Sequence, residues 1–518
     1  MIQIDGDHLT IAEVVAVARQ GEQVRLAPEA QRRVERAHTW VEDILVADKP
    51  VYGINTGFGI FSERKISARD AAKLSRNLIL SHAVATGPDL DSEVVRAAML
   101  IRANTLAKGH SGVRPVVIET LLAMLNRGVT PLIPSQGSLG SSGDLAQLSH
   151  MALVFTTDES DREAESGWAE YEGQRMSGKA AMQAAGIDRI ILGAKEGLAV
   201  NNGATFSAAL GALAVHDADI LLRSADVALA MSLEAMLGVS AAFDPRIHMV
   251  RNHIGQMAVA ERVRQFTEGS TLIDSAGRRQ DAYSLRCAPQ VQGAAMDALL
   301  FIKDRIVREI NAATDNPLLF GPTVAISGGN FHGEPVGMVM DFLGIALTEV
   351  AGISERRVFR LTDGNLNCDL PPMLVDHPEA AGLNSGLMMP QYTAASLVLE
   401  SQAMASPDSV YSLPTSAEQE DHNANAMTAA RHGREIITNT AHVLAIEAYT
   451  AARALDLRLR KLPDAQMGAG VAAAFEKIRQ HVPYQAGDAW WGPEVEQVHR
   501  LVSSGELIEH VDRSVGLE

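Results

Sequence analysis

The segment MDALLFIKDRIVREI, residues 296–310, separates the main fold classes. Its apolar residues Leu299, Ile302, Ile306 and Ile310 recur at intervals of three and four positions, which places them on one helix face and excludes a strand. Long segments with helical character, rich in Ala, Leu, Met and Val, cover residues 204–239, 294–313, 335–360 and 426–461. The sequence therefore predicts a mainly α protein with a long central up-down helix bundle.

The first 200 residues have a different character from the rest of the chain. The opening IQIDG alternates like a short strand, and Thr10 is placed to cap a helix that starts at Ile11. VYGINTGFG, residues 51–59, is a glycine-rich loop. We predict a smaller mixed N-terminal region, residues 1–200, followed by a long helical bundle, residues 201–518.

Composition and charge exclude several classes of function. The chain has 518 residues and a net charge of −18, which argues against a nucleic-acid surface because phosphate binding needs clustered Lys and Arg. Cys287 and Cys368 are too few for a disulfide framework or a thiolate zinc site. The N-terminus has acidic residues where a signal peptide needs basic ones, and no apolar run approaches the roughly 18 residues of a membrane span. We predict a cytoplasmic protein.

The segment GSLGSSGDLAQLSH, residues 137–150, is a small, flexible loop in front of a predicted helix. A Walker loop needs a Lys after its last glycine, and none follows Gly143. The dinucleotide motif needs Gly-x-Gly-x-x-Gly after a strand, whereas the spacing here is Gly-x-x-Gly-x-x-Gly. Nucleotide binding is therefore disfavoured, and a hinge or a self-modifying loop remains open.

Asp144 and Gln147 have the three-residue spacing of a capping box. The spacing predicts that the Asp144 side chain caps the helix that starts at Leu145. The serines before Asp144 would then lie at a helix N-terminus, where backbone N–H groups and the helix dipole stabilise developing negative charge. Such a position suits an electrophile.

Self-modification has definite residue requirements. If the amide nitrogen of Gly143 attacks the carbonyl of Ser141 and Ser142 loses water, the three residues close into a 4-methylideneimidazole-5-one ring with an electron-poor methylene. A glycine is needed at 143 because its nitrogen must reach back without a Cβ obstructing the turn. The central residue must be able to dehydrate, which a serine can do.

Eight motifs together resemble those of the aromatic amino-acid ammonia-lyases and aminomutases, the histidine ammonia-lyase family. Besides the 137–150 loop, in family order they are VYGINTGFG (51–59), NLILSHAVATG (77–87), KEGLAVNNG (195–203), QDAYSLRCAPQVQGA (280–294), SGGNFHGEP (327–335), ISERR (353–357) and LPTSAEQEDH (413–422). The resemblance covers almost the whole chain. One departure is Ser141, where the family usually has Ala; only the carbonyl of this residue joins the ring, so the serine is chemically compatible.

The resemblance implies loss of ammonia from an aromatic α-amino acid, which gives a trans-α,β-unsaturated acid. The substrate amine would add to the ring built from Ser141, Ser142 and Gly143, and no external cofactor or metal would be needed. By resemblance Tyr52 is the base for the β-proton. A tyrosine has an ordinary pKa of about 10, so its phenolate needs help from nearby positive charge or dipoles.

The resemblance also implies the contacts of the substrate. Arg286 would hold the substrate carboxylate, since a planar guanidinium binds a carboxylate through two parallel hydrogen bonds. Tyr283, Asn202 and Gln280 would position the carboxylate, the amine and the ring. Phe331 would flank the prosthetic ring. The family implies a homotetramer whose active sites borrow residues from three subunits.

Three positions bear on which amino acid is bound. The pair Ser81-His82 is found in histidine enzymes and in some tyrosine lyases and aminomutases of the family, and it argues against phenylalanine. Glu420 and Met388 match residues of histidine enzymes, and a carboxylate can accept an imidazole N–H or pair with an imidazolium. These residues favour L-histidine as the substrate and trans-urocanate as the product.

Several positions depart from an ordinary histidine enzyme. They are Ser141, the segment NNGATFS (201–207), HNAN (422–425) and MMPQYT (388–393). These departures keep a tyrosine ammonia-lyase or an aromatic 2,3-aminomutase open. Two unrelated classes are disfavoured: the fumarase–aspartase lyases, whose loop runs Gly-Ser-Ser-x-Met-Pro, and a helical scaffold without chemistry, since Tyr52, Arg286 and Glu420 are all present.

Overall fold

The computed structural model of the chain describes residues 1–57 and 59–517. Phe58, within the predicted VYGINTGFG loop, lies outside the described residues. Helices α1–α8 span Ile11–Gln20, Pro28–Ala47, Ala71–His82, Ser92–Ala107, Pro115–Arg127, Leu145–Phe155, Gly178–Ala184 and Glu196–Asn201. Helices α9–α14 span Thr205–Ala235, Pro245–Met249, Ile254–Phe266, Tyr283–Arg286, Ala288–Glu309 and Glu334–Thr362. Helices α15–α19 span Met388–Met404, Ala426–Lys461, Ala469–His481, Trp491–Ser503 and Glu506–Ser514.

The strands are short and form small sheets. Strands β1–β6 span Ile2–Ile4, Val24–Leu26, Thr86–Asp89, Thr130–Pro131, Pro134–Gln136 and Thr156–Thr157, and β7–β11 span Trp168–Tyr171, Gln174–Ser177, Ile190–Ile191, Leu318–Gly321 and Val324–Ile326. The pairs β1–β2 and β6–β9 are parallel, with Ile2 opposite Val24, whereas β3–β5 and β10–β11 are antiparallel. The antiparallel sheet β4–β7–β8 has three strands. The predicted mainly α fold is confirmed.

Local sequence signals explain two of the helices. The Thr10 hydroxyl accepts a hydrogen bond from the Glu13 amide at 3.2 Å, and the Glu13 carboxylate accepts one from the Thr10 amide at 2.9 Å. This capping box starts α1, as predicted, and Gly21 ends it in the left-handed conformation, with φ of 70°. In α13 the predicted apolar stripe is buried, with Leu299 at 4% exposure and Ile302 and Ile306 at 0%.

The described chain divides into two compact units that interleave along the sequence. Unit 1 contains residues 1–216, 302–341 and 407–431, and unit 2 contains residues 217–301, 342–406 and 432–518. Four of the five boundaries fall inside α9, α13, α14 and α16, and the fifth, at residues 406–407, lies between α15 and α16. The sequence-based division at residue 200 concerns the character of the two regions and stays a prediction.

In unit 1, apolar faces bring several helices together. Helices α1 and α5 both pack against α4, and α3, α6 and α8 contact one another. A cluster of Val41, Ile44, Ile54 and Leu319 joins α2 to β10 and to the loop after residue 50. These contacts hold the glycine-rich loop and the start of α6 in one body.

Unit 2 has an apolar core between three long helices and an ion pair inside it. Ala351 and Val358 of α14, Ala394 and Val398 of α15, and Val443 and Ile446 of α16 form the apolar cluster. The side chains of Arg357 and Glu447 are 0% exposed and paired, with Arg357 Nη2 2.7 Å from Glu447 Oε2. The Glu447 carboxylate also accepts hydrogen bonds from Ser232 and Ser354, so the buried charge is well supplied with donors.

Two helices, α9 and α14, are long and apolar enough to cross a membrane by length and composition, contrary to the expectation from the sequence. Most of the apolar window of each is buried inside the protein, 78% for α9 and 61% for α14. The core helices of large globular proteins pass the same test, so the two helices are weak evidence for a membrane span.

We predict that Arg357→Leu strongly destabilises the protein. The substitution leaves the Glu447 carboxylate buried without its cation, which costs about 3–5 kcal/mol. The measurement is the midpoint of thermal or denaturant unfolding. The control is Arg246→Ala, which breaks the exposed pair with Asp244 and should leave the midpoint unchanged. Equal midpoints for the two variants would contradict the importance of the buried pair.

Candidate active site

The loop before α6 is held by a buried carboxylate that does not cap the helix. Asp144 precedes α6, but its side chain makes no capping hydrogen bond to the first turn. It accepts instead from the amide and hydroxyl of Ser207, at 2.8 and 2.9 Å, and from the hydroxyl of Ser138 at 2.8 Å. Gln147 donates to the carbonyl of Pro134. The predicted capping box is therefore wrong, because both side chains have tertiary partners.

Burial raises the pKa of Asp144, and the hydrogen bonds from Ser207 and Ser138 work in the opposite direction. These bonds fasten the end of the loop to the first turn of α9, where Ser207 lies. Asp144 thus positions the serines that precede it. Ser141 and Ser142 do precede the first residue of α6, as predicted. The loop that carries them is held by hydrogen bonds to α9 and not by a cap of α6.

Gly143 lies against the backbone of Gly203. The two residues form an isolated parallel bridge, in which the amide of Gly203 donates to the carbonyl of Ser142 at 3.1 Å and the amide of Asp144 donates to the carbonyl of Gly203 at 2.9 Å. Gly143 has a φ of 75°, and a Cβ added there would lie 1.9 Å from the carbonyl carbon of Gly203. Both the conformation and the contact require glycine.

The carbonyl oxygen of Ser142 accepts two hydrogen bonds. Asn202 Nδ2 donates at 2.9 Å and the Gly203 amide at 3.1 Å. Two donors aimed at one carbonyl oxygen stabilise negative charge that develops there, as in an oxyanion hole. Asn202, predicted as a substrate-binding residue, thus contacts the serine loop directly in this structure.

A cavity of about 1250 Å³ opens beside this loop within unit 1. Eight of the predicted site residues line it: Tyr52, Ser81, His82, Ser141, Ser142, Asn202, Phe331 and Glu420. Gly143, which follows Ser142 in the sequence, is not among the residues that line the cavity. Segments that are far apart in sequence, residues 50–82, 141–145, 198–202, 316–332 and 416–422, therefore meet around one volume.

Tyr52 faces the cavity in an environment that favours the neutral phenol. Burial raises its pKa above the ordinary value, the negative charge of Glu420 raises it further, and a hydrogen bond from the backbone of Gly59 acts in the opposite direction. Within the described residues of unit 1, the surroundings of Tyr52 do not supply the positive charge that a phenolate base needs.

Ser81 and His82 form a hydrogen-bonded pair at the end of α3. The Ser81 hydroxyl lies 3.1 Å from the carbonyl of Leu78, to which it donates, and 2.9 Å from His82 Nδ1. The donor and acceptor roles in the contact between Ser81 and His82 are set by the tautomer of the imidazole. Burial lowers the pKa of His82 and favours the neutral ring, whereas a hydrogen bond with the backbone of Leu78 acts in the opposite direction.

Glu420, in the last of the three segments of unit 1, contacts the serine loop. The hydroxyl of Ser141 donates to Glu420 Oε2 at 2.8 Å. The backbone of Glu420 forms an antiparallel bridge with Thr415, and the amides of Ala424 and Asn425 donate to the carbonyl of Leu139. The 415–425 segment is therefore attached to the serine loop at two points.

Two further residues shape the cavity and were missed by sequence reasoning. Asn316 donates to the Ser327 hydroxyl at 3.0 Å and accepts from the Gly328 amide at 2.7 Å, which holds the 327–328 turn. His332 lies 3.2 Å through Nε2 from the carbonyl of His422 and so supports the segment that bears Glu420. Asn316 precedes a proline that marks a turn, and His332 lies in the SGGNFHGEP motif, but the partners of both are remote in sequence.

The other four predicted substrate residues belong to unit 2: Gln280, Tyr283, Arg286 and Met388. The guanidinium of Arg286 stacks over the Tyr283 ring at 4.7 Å, and its Nε atom is buried without a hydrogen-bond partner among the described residues. The Tyr283 side chain is 70% exposed. These four residues do not line the cavity of unit 1 in the described structure, and their roles stay predictions.

The described residues also contain one group of potential metal ligands: His442, Glu496 and His499, on α16 and α18 of unit 2. The two imidazole rings stack with centroids 3.8 Å apart and planes inclined by 12°. Nearly parallel rings direct their in-plane lone pairs side by side and not towards one point, unlike the ligands of a tetrahedral metal centre. The cluster therefore carries no metal assignment.

The comparisons with known proteins agree over the whole chain. Residues 9–480 match the family described as "Aromatic amino acid lyase". The chain is 47% identical over 514 residues to the histidine ammonia-lyase of Symbiobacterium thermophilum, covering 99% of this chain and 98% of that protein, and 46% identical over 520 residues to that of Alkaliphilus oremlandii, covering 100% and 99%.

Solved structures show the same fold. Histidine ammonia-lyase from Trypanosoma cruzi superposes with a TM-score of 0.89 at 36% identity, covering 99% of this chain and 95% of that one. Tyrosine aminomutase from Streptomyces globisporus superposes with a TM-score of 0.91 at 32% identity, covering 99% and 98%. The family match and the histidine ammonia-lyase relatives identify the chain as a carbon–nitrogen lyase. The chain belongs to the aromatic amino acid lyase family.

We predict that Gly143→Ala destabilises the protein far more than Gly173→Ala. The two glycines have nearly the same φ, 75° and 74°, but a Cβ at Gly173 meets nothing within 4 Å. A left-handed alanine costs about 1–2 kcal/mol at either site, and the overlap with Gly203 adds about 1–3 kcal/mol at Gly143. The measurement is the shift of the unfolding midpoint. Equal shifts would mean that the contact with Gly203 is unimportant.

Proposed function

We propose that this protein is a histidine ammonia-lyase, which converts L-histidine to trans-urocanate and ammonia. The single observation that carries the proposal is the position of Glu420. Its carboxylate lies in the same cavity as the serine loop and Tyr52 and accepts a hydrogen bond from the Ser141 hydroxyl. A carboxylate there suits a substrate ring that bears an N–H donor. The relatives named as histidine ammonia-lyases, at 44–48% identity, support the same substrate.

The residues of the loop fit a 4-methylideneimidazole-5-one group. Its formation joins the Gly143 nitrogen to the Ser141 carbonyl carbon with loss of one water, and Ser142 loses its hydroxyl and α-proton as a second water. The fit rests on the glycine at 143, whose Cβ-free backbone packs against Gly203, and on the two donors to the Ser142 carbonyl. When present, the group supplies an electron-poor methylene carbon that takes up the substrate amine and makes it a leaving group.

Asn202 and the Gly203 amide would hold negative charge on the Ser142 oxygen. Both donors already point at this oxygen, at 2.9 and 3.1 Å, so they need no reorganisation when charge develops. Asp144 keeps the loop in place through Ser207 and Ser138. Asn202 is then a catalytic residue, and Asp144 is a positioning residue.

Tyr52 would take the β-proton of the substrate. The C–H bond breaks, its electron pair forms the double bond between the α and β carbons, and the amino group leaves. Burial raises the pKa of Tyr52, so the phenolate form is scarce at neutral pH in this environment. Activity should therefore rise with pH up to the pKa of Tyr52.

The remaining contacts belong to the proposal as well. Glu420 and His82 would hold the imidazole of the substrate, with Ser81 fixing His82, and Phe331 would flank the prosthetic ring. Arg286, Tyr283, Gln280 and Met388 would bind the substrate carboxylate and ring in a homotetramer whose sites combine three subunits. We expect this enzyme to act in the cytoplasm without a metal.

A second function has a specific observation in its favour. A solved tyrosine aminomutase mutant with bound ligand superposes with a TM-score of 0.92 at 32% identity, covering 100% of this chain and 99% of that one. Ser141, Pro390 and Tyr392 also depart from an ordinary histidine enzyme. A tyrosine ammonia-lyase or an aromatic 2,3-aminomutase, in which the amine returns at the β-carbon before release, would use the same loop and base.

We predict that the protein releases ammonia from L-histidine and discriminates against L-phenylalanine by about 10⁴-fold in kcat/KM. A site with a buried hydrogen-bonding group rejects an analogue that lacks the matching donor by factors of this order. The measurement follows ammonia and the near-ultraviolet absorbance of the unsaturated product, with L-tyrosine in parallel. Ser142→Ala is the control without a prosthetic ring and should be inactive. Release of β-amino acids, detected by chromatography, would favour the aminomutase.

We predict that Glu420→Gln shifts the alkaline rise of kcat/KM to lower pH. The negative charge of Glu420 raises the pKa of Tyr52, so removing the charge lowers this pKa and the phenolate forms at lower pH. The measurement is the pH profile of kcat/KM for L-histidine. The maximum kcat/KM of the variant should also be lower than that of the unchanged protein. Asp421→Asn is the control, because Asp421 lines the same cavity without perturbing Tyr52. An unmoved profile in Glu420→Gln would contradict the coupling.

A further inference from the structure

The Ser141 hydroxyl is a feature that the cyclisation of the loop does not use. Only the carbonyl carbon of Ser141 would join the prosthetic ring, so its hydroxymethyl group remains in the finished site. The side chain is buried, at 7% exposure, and lines the cavity. An alanine, the usual residue of the family at this position, would leave the ring chemistry unchanged.

This hydroxyl has a defined partner. It donates to Glu420 Oε2 at 2.8 Å, across 279 residues of sequence. The backbone of Glu420 is fixed separately through its bridge with Thr415. In the described part of the chain, Ser141 is the residue that supplies a hydrogen-bond donor to this carboxylate, so it is the group that sets the rotation of the carboxylate plane.

The orientation has a consequence for recognition. A carboxylate has two oxygens, each of which accepts hydrogen bonds. With Oε2 engaged by Ser141, Oε1 is the oxygen available to a donor on a molecule in the cavity. A charge-assisted hydrogen bond gains both strength and direction when its acceptor is held in advance, because less freedom is lost on binding.

We propose that Ser141 is a positioning residue that orients Glu420 towards substrates with a ring N–H or O–H donor. It therefore acts on specificity, in addition to donating its carbonyl carbon to the prosthetic ring. This inference rests on the proposed function, because it assumes that the substrate ring meets Glu420. Ser141 works through Glu420, and substrates without a ring donor do not sense it.

The test measures binding in chains that cannot react. Ser142→Ala prevents ring formation and turnover, so the dissociation constants of L-histidine and L-phenylalanine can be measured by titration calorimetry. Adding Ser141→Ala should raise the dissociation constant of L-histidine about tenfold, the order expected for the loss of one hydrogen bond to a charged group. The dissociation constant of L-phenylalanine should change less than about twofold. Ser141→Thr, which keeps a hydroxyl, should restore the binding of L-histidine.

A double-mutant cycle shows whether Ser141 acts through Glu420. In a Glu420→Ala background the carboxylate is absent, so Ser141→Ala should have no further effect on L-histidine binding. An effect of the same size in both backgrounds would overturn the proposal. An equal increase in the dissociation constants of L-histidine and L-phenylalanine on Ser141→Ala would also overturn the proposal, since that result indicates a general change of the cavity.

Separate measurements distinguish this inference from the proposed function. Ser141→Ala in the otherwise unchanged chain should still form the ring, seen as a peptide carrying residues 141–143 that is two waters lighter than its sequence mass. It should release ammonia from L-histidine with a raised KM and a smaller change in kcat. If the unchanged chain is active on L-histidine and Ser141→Ala leaves KM and the preference over L-phenylalanine unaltered, the positioning role is wrong while the function stands. If the unchanged chain is inactive on L-histidine, both proposals fall.

Discussion

The contact between the backbones of Gly143 and Gly203 fixes the serine loop on which the proposed chemistry depends. Each glycine has a positive φ, and a Cβ on either would overlap a neighbour: the Gly203 carbonyl carbon at 1.9 Å for Gly143, and the Thr314 hydroxyl at 2.5 Å for Gly203. The two stretches of backbone can come this close because Gly143 has no Cβ, and the missing Cβ of Gly203 leaves room for Thr314. Their bridge fixes the serine loop relative to Asn202 and the start of α9, so the donors to the Ser142 carbonyl are in place before any chemistry occurs.

Buried charges lie behind this contact and raise the cost of moving it. Burial raises the pKa of Asp144, burial and the charge of Asp144 raise the pKa of Glu309 to about 7, and burial lowers the pKa of Arg102 to about 10. Arg102 donates to the carbonyl of Ala199 and to Thr205, next to the residues that hold the loop. Charged groups removed from water are tolerated only with partners in place. The loop, α4 and α9 are therefore held together by groups that lose their partners if one element shifts.

Glu420 gives the cavity two opposed properties. Its carboxylate suits recognition of a ring donor, yet its negative charge, together with burial, raises the pKa of Tyr52 and disfavours the phenolate. Under the proposed function, a substrate N–H that donates a hydrogen bond to Glu420 would partly neutralise that charge when Tyr52 acts as the base. The hydroxyl of Ser141 acts in the same direction by sharing the carboxylate. In this proposal, recognition of the substrate ring and the pKa of Tyr52 would be linked through the Glu420 side chain.

The helical class can be read from the order of residues alone, since the stripe from Leu299 to Ile306 has a helical period. The proposed cyclisation also has a local requirement, a serine followed by a glycine, although the loop by itself is equally compatible with a hinge. The cap at Thr10 is equally local, with its partner Glu13 three residues away. The predicted capping role of Asp144 is wrong: its spacing fits a capping box, but its carboxylate accepts hydrogen bonds from Ser207, 63 residues further on. The bond between Ser141 and Glu420 spans 279 residues. Periodicity and spacing are properties of neighbouring residues, whereas these distant partners meet only through the packing of helices in the folded chain.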